Sequence, residues 1–91
     1  MNTEVQTAEI ERRLTAGLLP RAQRCRTYAG LSGGARCDAC GMEIVRNAIE
    51  YDVDLLDDLE SVARTVTMHA QCHMIWLARS RADSRTVLTV C

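Results

Sequence analysis

Two short motifs, Cys37-Asp38-Ala39-Cys40 and His69-Ala70-Gln71-Cys72, lie 28 residues apart and constrain this chain more than any other feature. Two thiols on a tight turn, with an imidazole and a thiol three residues apart, make a complete Cys3His set. Sulfur and nitrogen donors in that number suit Zn2+, whose structural sites are closed by four protein groups in a tetrahedron. A closed site leaves no position for a substrate. The expectation is one structural zinc ion, held by Cys37, Cys40, His69 and Cys72, stapling a small domain. His73 is a rival imidazole beside Cys72. At i and i+3 in a first helical turn, however, His69 and Cys72 reach the same point and His73 turns away.

A staple answers a need. The 91 residues make one domain, or a domain with an arm, and a chain this short buries a modest core. It has no Phe, one Trp (Trp76) and two Tyr (Tyr28, Tyr51), so aliphatic side chains and a metal must replace the area that rings usually bury.

The formal net charge of -1 gives no general case for binding nucleic acid or an acidic membrane. Its distribution is uneven. Arg12, Arg13, Arg21, Arg24, Arg26 and Arg36 fall in a stretch without acids, whereas Glu50, Asp52, Asp54, Asp57, Asp58 and Glu60 fall in one without bases. The blocks either face each other or face a partner. No apolar run approaches membrane-spanning length, so no membrane partner is expected. The N-terminus lacks a basic start and apolar centre, the five cysteines are an odd number, and three of them carry metal-ligand spacing together with His69. The expected compartment is the reducing cytoplasm.

Along the chain, residues 7–18 read as a helix capped by Thr7 and ended by Gly17 and Pro20, with Ile10, Leu14 and Leu18 on one stripe. That stripe either packs on the rest of the chain or makes a homodimer. Residues 20–36 read as a Gly- and Arg-rich connection. After Cys40, Gly41 takes a left-handed turn that aims backbone amides at the thiols. Residues 49–55 alternate, with Ile49, Tyr51, Val53 and Leu55 opposite Glu50, Asp52 and Asp54; after a turn at 57–61, residues 62–68 alternate again. This predicts an antiparallel hairpin leading to His69. From His69 to about Arg81 the period is helical, with Cys72, Ile75, Trp76 and Arg79 on one side. Residues 86–90 read as an edge strand or a frayed end. The expected organisation is 1–34 as helix and connection, 35–82 as the zinc-binding unit, and 83–91 as a tail.

A metal-binding turn, a hairpin, and a helix whose first turn supplies the last ligands resemble the treble-clef zinc fingers, over about residues 35–80. The order Cys37, Cys40, His69, Cys72 is also similar to the first half of a LIM domain. Leu19-Pro20, the glycines from Gly30 to Gly34, and Trp76 match small uncharacterised bacterial zinc-binding proteins in outline. The resemblance implies a small α+β zinc-stapled fold: an N-terminal helix, a treble-clef-like knuckle, a β-hairpin and a C-terminal helix. Treble clefs bind proteins or nucleic acids and sometimes catalyse, so the fold does not select the activity.

The expected function is a non-enzymatic module that binds another protein or regulates it. The alternative is nucleic-acid binding through Arg12 to Arg36, although aromatics on which bases would stack are not interleaved there. For catalysis, His73 is the one spare histidine, and pairing it with Glu50 or Asp52 gives only a weak hydrolytic arrangement. Cys25, between Arg24 and Arg26, reads as an inert thiol or an activated one. Cys91 has no assigned role.

Overall fold

The computed structural model describes residues 3–82, in the order α1 (Thr3–Thr15), β1 (Cys25–Leu31), β2 (Ile49–Leu56), β3 (Val62–His69) and α2 (Ala70–Ala82). The three strands form one antiparallel sheet with β2 in the centre, and α1 and α2 pack on each other. The tail expected at 83–91, including Cys91, lies outside the described residues.

The hairpin follows the alternation. Val53 pairs with Val66 and Tyr51 with Met68 across β2 and β3, so Val53, Leu55, Val66 and Met68 bury on one face beneath α2. The opposite face carries the acids. Asp52 and Asp54 accept hydrogen bonds from the Thr67 and Thr65 hydroxyls, at 2.9 and 2.8 Å. Asp52 also crowds Glu50 and pushes its carboxyl above the usual range, with a smaller contribution from burial. The turn closes on Asp57, whose side chain accepts the amides of Leu59 and Ser61.

Three expectations are corrected. The segment 20–36 is not all connection, because β1 pairs with β2 along its length, from Cys25 opposite Leu55 to Leu31 opposite Ile49. Only Cys25 in β1 is buried, so the strand shows little apolar alternation. Helix α1 runs from Thr3 rather than Thr7; the Thr7 hydroxyl donates to the Thr3 carbonyl inside the helix. The helix also ends three residues early, at Thr15, and Gly17 reverses the chain at φ +75° while the Leu18 and Leu19 amides bond the Arg13 carbonyl. That reversal leaves Leu18 exposed and puts Leu19 into the core with Ile10 and Leu14.

Trp76 anchors the centre. It is fully buried, and its indole N–H donates to the Pro20 carbonyl at 2.7 Å. One turn later the Ser80 hydroxyl accepts the Ala22 amide at 3.0 Å. Helix α2 thereby holds the chain between α1 and β1.

The charge blocks meet in part. Arg24 pairs with Glu60, and Arg26 stands opposite Asp54 in the register of β1 and β2. Arg12 and Arg13 instead bind Glu9 on their own helix, which draws the Glu9 carboxyl down to about 2.

Candidate metal centre

The first two donors sit on a small hairpin of their own. Arg36 bridges Glu43, the Cys37 amide donates to the Met42 carbonyl, and the Ile44 amide donates to the Ala35 carbonyl. Gly41 makes the return possible at φ +83°, its amide bonding the Cys37 carbonyl at 2.8 Å. The other two donors come from the junction of β3 and α2. His69 is the last residue of β3, and Cys72 lies in the first turn of the helix that begins at Ala70. The knuckle leans on the edge of β3 at Thr67, two residues before His69, and so brings the two motifs together.

The Cys37, Cys40 and Cys72 sulfurs and a His69 ring nitrogen lie within 4.8 Å of one another. His69 Nδ1 is 3.5 Å from Cys40 Sγ and 3.7 Å from Cys72 Sγ. Two donors on a tetrahedral ion with ordinary Zn–S and Zn–N bonds stand about 3.6 Å apart. The spacing is therefore compatible with a zinc site. The imidazole is oriented for the task as well: Nε2 lies 3.1 Å from the Glu43 carbonyl. A carbonyl only accepts, so Nε2 carries the proton and Nδ1 turns its lone pair toward the sulfurs. An outer hydrogen bond that fixes the tautomer in this way is usual for a metal-binding histidine.

The sulfurs are buried, Cys72 completely, and their proton affinities diverge. Hydrogen bonding to Cys72, helped by the amides of His69, Cys40 and Ala39, draws Cys37 down to about 4 against the effect of burial. The same contact with Cys37 and then burial push Cys72 up, while burial first and then the charge of Cys37 raise Cys40. One negative charge is thus favoured among three thiols crowded in a dry place. A divalent cation removes the repulsion and lets all three ionise. Two guanidinium groups stand beside the knuckle: Arg13 Nη1 donates to the Asp38 carbonyl at 3.3 Å and Arg36 Nη1 to the Gly41 carbonyl at 2.7 Å.

His73 is elsewhere. Its ring lies against Tyr51, with centroids 4.6 Å apart, and near Trp76 at 6.0 Å. Burial lowers its pKa, which favours the neutral ring. Among the described residues, His73 is not in the group that could hold a metal, and neither Glu50 nor Asp52 joins it. Cys25 is buried at the start of β1.

One contributor escaped sequence reasoning. Gln6, on α1, is buried and its side-chain N–H donates to Cys72 Sγ at 3.5 Å. Its position one turn before Ile10, as a polar residue on the apolar stripe, was the available signal.

Family models, curated proteins and solved structures gave no match to this chain. The likeness to treble clefs rests on motif and element order alone. Among the described residues, no helix is long and apolar enough to cross a membrane.

Proposed function

We propose that this chain is a zinc-stapled protein-interaction module, with Cys37, Cys40, His69 and Cys72 as the ligands of one structural Zn2+ and no enzymatic role. The observation that carries this reading is the set of four donors within 4.8 Å of one another, three of them buried sulfurs. Four protein donors fill the coordination sphere, so the ion serves folding rather than substrate. Knuckle, hairpin β2–β3 and helix α2 follow in treble-clef order around it. The ion would bind the thiolates and tie the β3–α2 junction to the knuckle, a link that the small core otherwise makes only by packing and hydrogen bonds.

A protein partner suits the surface better than nucleic acid. Leu31 and Ile49 are cross-strand partners and 70% and 47% exposed, on the sheet face that buries Val53 and Leu55 farther along. An exposed apolar pair continuous with a core face favours protein contact. Several arginines of the basic stretch are already engaged, Arg12 and Arg13 by Glu9 and Arg24 by Glu60.

Affinity capture with the zinc-loaded chain tests the reading against a Leu31→Glu/Ile49→Glu variant. The expected result is a protein retained by the wild type and lost from the variant. Capture of nucleic acid alone, or the same proteins with both baits, would overturn it.

A further inference from the structure

Gln6 is out of place by the logic of its helix. It shares the buried stripe of α1 with Ile10 and Leu14 and is only 7% exposed. A leucine there would fill the same space without burying an amide. Among the described residues Gln6 Oε1 has no hydrogen-bond partner, and a buried unpaired carbonyl is a cost that folding ordinarily avoids. The other end of the amide explains why the cost is tolerated: Nε2 donates to Cys72 Sγ at 3.5 Å. The amides of His69, Cys40 and Ala39 lower the Cys37 pKa, and the amide of Met42 acts on Cys40 in the same direction. For Cys72 the donor is a side chain, brought from 66 residues away.

We propose that Gln6 sets the reactivity of the Cys72 sulfur in the metal centre, shielding that thiolate from electrophiles by an N–H···S hydrogen bond delivered by α1. A proton donor on a thiolate withdraws electron density from sulfur, so the sulfur attacks an electrophile less readily and electrophile-driven loss of the metal is slower. Helix α1 is seated for this role at two further points. Gln71 Nε2 donates to Thr3 Oγ1 at 2.6 Å, and Arg13 reaches the Asp38 carbonyl of the knuckle. Docking of α1 thereby couples the N-terminal arm to metal retention. The inference rests on the metal reading given above.

The test uses the full chain loaded with Zn2+ or Co2+. Gln6→Leu and Gln6→Met keep the volume and remove the donor, while Ile10→Val loosens α1 without touching sulfur. Iodoacetamide is the probe: the thiolate attacks its methylene carbon, an S–C bond forms, the C–I bond breaks and iodide leaves, and the zinc freed is followed with a chromophoric chelator. Loss of one hydrogen bond predicts zinc release about three- to tenfold faster in both Gln6 variants, with Cys72 the residue alkylated first. The sulfur-to-cobalt charge-transfer band should move to longer wavelength in the same two variants and not in Ile10→Val. Unchanged rate and band in a loaded Gln6→Leu protein would overturn the role of Gln6 alone, as would an equal acceleration in Ile10→Val. A wild-type chain that takes up neither metal would overturn the metal reading and this inference together.

Discussion

Asp38 and Thr67 hold each other by two hydrogen bonds, the Asp38 amide donating to the Thr67 carbonyl at 2.7 Å and the Thr67 amide donating to the Asp38 carboxylate at 2.8 Å. The contact joins the residue after Cys37 to the residue two before His69. It spans 29 positions and fixes the distance between the two halves of the metal centre. Asp38→Ala removes the acceptor for an edge-strand amide and is expected to cost about 1 kcal/mol of stability, with a several-fold loss of metal affinity. Asp38→Asn keeps an acceptor and should recover most of both. Chelator competition and thermal melts check this, and an Asp38→Ala protein with wild-type affinity would show that the clamp does not position the site.

Trp76 supports the centre from below. Trp76→Phe keeps most of the buried volume but leaves the Pro20 carbonyl without its donor, an expected cost of about 1–2 kcal/mol. Trp76→Ala adds a cavity and should cost about 3–5 kcal/mol. Denaturant melts distinguish the two, and equal losses would mean that the hydrogen bond contributes nothing.

Metal removal should dismantle the β3–α2 junction. In a domain of this size the metal affinity is part of the folding free energy. Chelation, or Cys40→Ser, is expected to remove most of the strand and α2 signal from circular dichroism, reversibly in the case of chelation. A chelated chain with unchanged spectrum and melting would contradict the claim.

The dependence on pH separates two forms of the metal-free chain. In the folded arrangement the Cys37 pKa is depressed to about 4, so the stability it contributes is present above the ordinary value of 9.0 and is lost as pH falls through 4. A metal-free chain that kept this arrangement would hold Cys37 ionised at neutrality and lose only two thiol protons on binding. If removal unfolds the site, all three thiols are protonated, and the logarithm of the apparent metal constant should rise by about three per pH unit near pH 7. We expect a slope of three. A slope of two would mean that the thiol arrangement survives without the ion.

Much of this centre was legible because its signals are local. The Cys37 and His69 motifs carry their chemistry in four residues each, and the alternation from Ile49 to Leu55 names both faces of β2. Strand β1 was hidden for the opposite reason: it buries one residue, carries Gly30, and owes its form to pairing with β2. The end of α1 depended on Gly17 adopting a positive φ three residues before Pro20, which exchanged Leu18 for Leu19 in the core. Gln6 showed itself only as a polar residue on an apolar stripe, because its sulfur partner is set by how α1 packs on α2 and by no nearby residue.

The most direct measurement is metal content together with X-ray absorption at the zinc edge on the purified chain. The account predicts one zinc per molecule with three sulfur neighbours near ~2.3 Å and one nitrogen near ~2.0 Å. A compact protein free of metal, or a zinc bound by fewer than three sulfurs, would contradict it.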